Sequence, residues 1–165
     1  MSEQTQLSHK NAIKPLIPHR KAFLDTHKLP WTNWVMEGTY FKLLNINEMT
    51  GGFTIMLKVD PGIEAPVHHH IGGIEAYVTE GEFGYGDDDR GGVGSYVLEA
   101  SGSIHQPDSP DGTTMFAIAH GPLVGYNEDG SIAVVVDARL MYEMAKANNA
   151  ADHIQIVNTF HEQDD

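Results

Sequence analysis

The chain has 165 residues and a formal net charge of −13, a length that suits one well-buried core and a sign that repels phosphate backbones and anionic lipid heads. Neither nucleic acid nor membrane is expected as a partner: apolar content of 41% is ordinary for a soluble globular protein, and no apolar run approaches the roughly 18 residues of a membrane span. The absence of cysteine excludes disulfides, thiolate nucleophiles and thiolate metal sites.

Residues 1–30 are polar around "KPLIPHRK" and read as an N-terminal arm with little helix. They show no hydrophobic signal-peptide core, so a cytoplasmic location is the expectation. Residues 31–165 read as a single domain with a C-terminal helix and tail. "TYFKLLNI" (39–46) and "FTIMLKVD" (53–60) flank the polar "NEMTGG" as a hairpin. "IEAYVTE" (74–80) and "EFGYG" (82–86) follow, hinged at Gly81, and "GDDDRGG" (86–92) reads as a solvated hairpin tip, with Asp87 or Asp88 a minor carboxylate source. "SYVLEA" (95–100), "TMFAIAHG" (114–121), "LVGYN" (123–127) and "SIAVVVDA" (131–138) continue the series. The one strong helix is "ARLMYEMAKANNAA" (138–151), with Leu140, Met144 and Ala147 along one face. Eight to ten short strands with one terminal helix predict an all-β sandwich or barrel.

The chemistry concentrates in "PGIEAPVHHHIGGIEAYVTEGEFGYG" (61–86). Three histidines embedded between strands are not a terminal tag. In extended backbone residues two apart share a face, so His68 and His70 point one way and His69 the other. Two imidazoles at that spacing can clasp one cation, and "GSYVLEASGSIHQPDS" (94–109) offers a third in His105. Imidazole ligands suit Fe(II), Mn, Ni, Cu or Zn better than Mg or Ca. Closed structural zinc sites usually carry thiolates, which points to an open, chemically active site.

Together the two stretches resemble the paired motifs of the cupin superfamily. Gly62, His68, His70, Glu75 and Gly81 fall close to the first motif, and Gly94, Gly102 and His105 meet the second. Ala100 stands where the family usually has Pro, and Ser109 where it usually has Asn. The resemblance implies a cupin jelly-roll (double-stranded β-helix) barrel with a metal inside its mouth, held by three histidines and, in many members, the glutamate. Glu75 lies six residues before Gly81 where the usual spacing is seven. A one-residue slip along a strand moves a side chain to the opposite face. Two alternatives therefore stand: Glu75 reaches the metal, or it points away and orients an imidazole instead.

"LPW" (29–31), "GSYVLEASGSIH" and "HGPLVGYNEDGSIAVVVDARLMYEMAKANN" narrow the resemblance to the branch containing acetylacetone-cleaving and 2,4'-dihydroxyacetophenone dioxygenases. It implies a non-haem dioxygenase that uses Fe(II), with Ni, Zn or Mn as alternatives, to split a C–C bond in a small dicarbonyl or hydroxyketone. Substrate and dioxygen would be its partners, and a homodimer or homotetramer its assembly. Met56, Tyr77, Tyr85, Tyr96, Phe116 and Ile118 are candidate pocket walls, each also readable as ordinary core, and His120 a candidate acid/base. Two other functions compete. A metal-binding regulatory or sensor cupin would be fused to, or docked on, a helical partner. A metal-dependent isomerase acting on sugars or polyols would need basic residues, yet only Lys42, Lys58 and Arg90 lie between positions 30 and 138.

Overall fold

The computed structural model describes residues 23–156. Residues 1–22 of the expected arm, with Pro15 and Pro18, and the tail from 157 lie outside the described residues. A single 3-10 turn, Thr26–Lys28, leads into β1 (Thr32–Asn33). β2 (Thr39–Asn47) and β3 (Gly52–Val59) form the expected hairpin. Its turn is held by the Asn47 side chain, which accepts from the backbone N–H groups of Met49 at 3.1 Å and Thr50 at 3.2 Å.

The chain then adds β4 (Ile63–Glu64), β5 (His68–His70) and the long β6 (Ile74–Gly84). β7 (Arg90–Gly92) folds back on the end of β6, so the hairpin tip is residues 85–89 and the last three residues of the expected tip, 86–92, are strand. β8 (Tyr96–Glu99), β9 (Ile104–His105), β10 (Asp108–Ser109), β11 (Thr113–Ala119), β12 (Leu123–Tyr126) and β13 (Ile132–Val136) complete the strands. Among the described residues there are thirteen rather than eight to ten, because several are only two or three residues long. One sheet runs β1-β2-β3-β11-β6-β10-β4, with β7 and β8 also bonded to β6; the other runs β13-β12-β5-β9. Their inner faces share one core, the double-sheet solution of a jelly roll.

Alternation decides which side chains fill it. Phe41 and Leu43 of β2 stand in register with Leu57 and Ile55 of β3. Leu57, Ile55 and Phe53 in turn face Met115, Ala117 and Ala119 of β11, and Met115 and Ala117 face Val78 and Ala76 of β6. All but Leu57, which packs against the cluster, are buried. The intervening residues point outward, so Tyr77 and Tyr96 are 50% and 60% exposed. Five of the six candidate pocket walls, Met56, Tyr77, Tyr96, Phe116 and Ile118, therefore belong to the outer parity and not to the cavity.

The helix, α1, spans Ala138–Ala147, shorter than the sequence pattern suggested. The Asp137 side chain caps it by accepting from the Leu140 N–H at 2.9 Å, and Asn149, with φ 54°, follows its end. Its buried stripe is Ala138, Met141 and Ala145, with Leu140 and Met144 flanking and Ala147 exposed. The helix lies against β2, β3 and β13, and Trp34 Nε1–H points at Met141 Sδ from 3.1 Å. Among the described residues no helix is long and apolar enough to cross a membrane.

Gly81 is the hinge the sequence suggested. Its φ of +66° is left-handed, and an added Cβ would collide with the Gly112 carbonyl oxygen on the neighbouring chain segment. Gly81→Ala is expected to cost about 3 kcal/mol of stability. A urea midpoint close to that of the unsubstituted protein would contradict this reading of the hinge.

Candidate metal centre

The site grows from one ladder. β5 lies between β12 and β9, and its register sets His68 directly opposite His105. His70, two residues along, shares the face of His68. The three rings form a near-equilateral group, with centroid separations of 4.9, 4.8 and 4.7 Å, and one ligand atom from each lies within 4.8 Å of the others. His69 points the other way, where Nδ1 hydrogen-bonds the Tyr126 hydroxyl at 3.1 Å.

The local chemistry prepares these rings as ligands. His68 Nδ1 lies 3.0 Å from the Pro66 carbonyl, an acceptor only, so Nδ1 carries the proton and Nε2 keeps its lone pair. Burial lowers the pKa of His68 and of His105 below the ordinary imidazole value, favouring the neutral, metal-binding form. His70 is 1% exposed.

The carboxylate beside this group is that of Glu99 and not of Glu75. Glu99, at the end of β8, places Oε2 3.0 Å from His70 Nε2 and Oε1 3.6 Å from His105 Nε2. The Tyr85 hydroxyl donates to Glu99 Oε1, and its ring centroid sits 4.8 Å from that of His105. Burial raises the Glu99 pKa, but hydrogen bonds from His70 and Tyr85 outweigh it and leave the carboxyl below its ordinary value. Burial and the adjacent Glu99 charge push the Tyr85 phenol well up, keeping it a neutral donor.

Glu75 takes the second of its two alternatives in direction, without the orienting role at the histidine cluster. Ala76 of β6 is buried, so its neighbour Glu75 faces out. There it accepts from the Tyr96 hydroxyl and from His120 Nε2, both at 2.7 Å. These bonds hold its pKa below the ordinary carboxylate value. His120 is thus an outer-face partner of Glu75 and not a pocket acid/base, and Asp87 and Asp88 are exposed at the hairpin tip. The signal for Glu99 was present in "SYVLEA": Tyr96 and Leu98 face out, which sends Val97 and Glu99 inward just before the turn to His105.

The donors fit a transition-metal ion. Around an ion with ligand bonds of about 2.1 Å, neighbouring donor atoms at right angles lie about 3 Å apart. His70 Nε2 is 2.9 Å from His105 Nε2 and 3.0 Å from Glu99 Oε2. Two nitrogens and an oxygen that close, with no lysine or arginine among them, are reconciled only by protons or a cation. Imidazole and carboxylate together suit Fe, Mn, Ni, Cu or Zn.

His68, His70 and Glu99 also line a cavity of about 180 Å³, walled mainly by Phe53, Leu57, Ala117 and similar apolar side chains, with Thr39, Asp108, Ser109 and Thr113 among them. A jelly-roll barrel with a histidine cluster opening into such a cavity defines a cupin. The chain belongs to the ChrR cupin-like domain family, whose profile matches residues 19–124. It is similar to an RmlC-like cupin protein from Ralstonia eutropha JMP134, at 24% identity over 84% of this chain and 93% of that one, with a TM-score of 0.73. A protein of unknown function with a cupin-like fold from the same organism gives 23%, 87%, 99% and 0.73. An acetylacetone dioxygenase from Acinetobacter johnsonii gives 18%, 84%, 94% and 0.64. No curated protein is a significant match. At these identities the likeness establishes the fold, and function has to be argued from the site.

Two outcomes follow from the geometry. Glu99→Gln should weaken zinc binding by about 10- to 100-fold, while Glu75→Gln leaves it unchanged; competition with a chromogenic chelator measures both, and the reverse ranking would restore Glu75 to the site. Acid should also destabilise the metal-free protein. His68 and His105 have folded pKa values below the ordinary one, so the unfolded chain binds more protons as pH falls through about 6.5. Their stabilisation is complete above that range and is lost below it. Glu99, lowered as well, adds a loss in the carboxylate range. Thermal melts that stay flat on acidification from neutral pH would refute this linkage.

Proposed function

We propose that the protein is a metal-dependent dioxygenase that cleaves a C–C bond in a small dicarbonyl or hydroxyketone. The observation that carries this reading is the placement of His68, His70 and Glu99 on the wall of an apolar cavity. A purely structural metal would not need a cavity beside its ligands. The likeness to an acetylacetone dioxygenase supports the choice of reaction as a fold-level analogy.

His68, His70 and His105 hold the metal, with Glu99 as a fourth donor. When bound, Fe(II) supplies Lewis acidity toward two substrate oxygens and the electrons for dioxygen chemistry. The protein does the rest. Pro66 and Tyr85 fix the His68 ring and the Glu99 carboxylate by hydrogen bonds. Glu99 Oε2 faces His70 and is the oxygen left to serve as a donor to the metal, since Oε1 accepts from Tyr85, while Asp108, the other carboxylate on the wall, is tied to Arg90 at 3.0 Å. The apolar wall keeps bulk water away from the reacting carbon.

A second reading, a metal-binding regulatory cupin, is favoured by the family match. Oxygen uptake separates the two. Fe(II)-reconstituted protein should consume dioxygen with a β-diketone or a hydroxyacetophenone, and His70→Ala should lower the rate by at least about 10³-fold. Stoichiometric histidine-bound metal with no uptake for any compound would favour the regulatory reading.

We also propose a homodimer or homotetramer. Tyr77, Tyr96, Leu98 and Phe116 are 36–65% exposed on one outer face, and β8 bonds only β6, leaving its other edge unpaired among the described strands. A clean monomer at micromolar concentration in sedimentation velocity would contradict this.

A further inference from the structure

The polar groups on the cavity wall say what kind of molecule it accepts, given the metal-dependent reading above. We infer that the site takes an uncharged compound. Two oxygens at one end meet the histidine cluster, and the remainder is an apolar body about the size of one six-membered ring.

Charge is excluded first. Among the described residues no lysine or arginine lines the cavity. The hydroxyls that do have already donated their protons to backbone carbonyls: Thr39 to Met36 at 2.5 Å, Ser109 to Glu82 at 2.7 Å and Thr113 to Glu80 at 3.1 Å. The Trp34 indole N–H is directed at Met141 Sδ, and His68 Nδ1–H at the Pro66 carbonyl. Asp108 is acidic and held by Arg90, which does not itself line the cavity. An anionic tail would therefore lose its water and find no cation on the described wall, and the unpartnered His70 Nδ1 belongs to the histidine cluster and not to the apolar remainder of the wall. A sugar acid, a phosphate ester or a carboxyl-bearing diketone fails this test; a neutral alkyl or aryl ketone passes it.

Size comes from the small residues. Ala117 of β11 stands opposite Ala76 of β6 on one side and Ile55 of β3 on the other, and Ala119 lies two residues further along the same inward face. All three alanines line the cavity, so their missing side-chain volume is part of its space. A protein cavity of about 150 Å³ accepts benzene, and this one measures about 180 Å³. Ala117, at the centre of the stripe, is accordingly the position that sets how large an apolar body fits.

The probes are 1-phenylbutane-1,3-dione and the same compound with a para-carboxylate on the ring. Each is titrated calorimetrically into the full chain, both metal-free and zinc-loaded. The neutral compound should bind at least about tenfold more tightly than its carboxylate in both forms. Ala117→Leu, checked for unchanged zinc stoichiometry and melting temperature, should weaken the neutral compound by at least about tenfold. If Ala117→Leu misfolds, the milder Ala117→Val should give a smaller loss in the same direction. Equal or tighter binding of the carboxylate, failure of both probes to bind, or indifference to a folded substitution at Ala117 would overturn the inference. Failure of the histidines to hold zinc would instead overturn the metal-dependent reading, while selection against the carboxylate in the metal-free chain would still uphold this one.

Discussion

The centre depends on one register. β5 is only three residues long, and it contributes two histidines to the same face because side chains alternate along extended backbone. The antiparallel pairing of His68 with His105 brings in the third. A slip of one residue would turn His69 inward, send His68 and His70 out, and take His105 from opposite its partner. β12 guards against that slip from the other side, pairing Leu123 with His70 and Gly125 with His68. The backbone N–H of His70 adds a bond to the Ser103 carbonyl at 3.0 Å, and the Gly102 N–H returns one to the His70 carbonyl at 2.7 Å. His68 and His70 thus sit on a strand whose position is fixed from both edges.

The same parity governs the larger sheet. Along β6 the inward residues Ala76 and Val78 alternate with the outward Glu75 and Tyr77. Along β8 Glu99 turns inward and Leu98 outward. A single rule therefore places Glu99 beside the histidines and Glu75 with His120 on the outside. It also concentrates small residues on the inner face of β6 and β11, giving the cavity its room, and aromatic rings on the outer face. Tyr85 lies after β6 ends, beyond the Gly81 hinge, and so turns back toward His105 and Glu99.

The fold and the three histidines were legible in the sequence because both are local signals. Short apolar runs between turn residues announce strands, and H-x-H in extended backbone announces a shared face. The second motif carried His105. The carboxylate beside the histidines was not legible in the same way. Glu75 falls close to a linear motif, but its face is decided by pairing with β8 and β11, a non-local fact. The spacing to Gly81 did flag the slip. For the pocket walls, choosing large side chains favoured the outer parity at five positions out of six. Small size was the better cue, since a cavity requires missing atoms, and the inward positions of β6 and β11 include Ala76, Ala117 and Ala119. The helix face was misread by one position: the helix starts at Ala138 as expected, but its packing on β2, β3 and β13 buries Met141 and Ala145 most deeply.

The central claim is that His68, His70, His105 and Glu99 form one metal site opening on the apolar cavity. Anomalous diffraction at the zinc edge, from crystals grown with one equivalent of zinc, tests it most directly. The account predicts a single dominant peak enclosed by the three imidazoles and the Glu99 carboxylate. A dominant peak on the outer face at Glu75 and His120, with the histidine cluster empty, would contradict it.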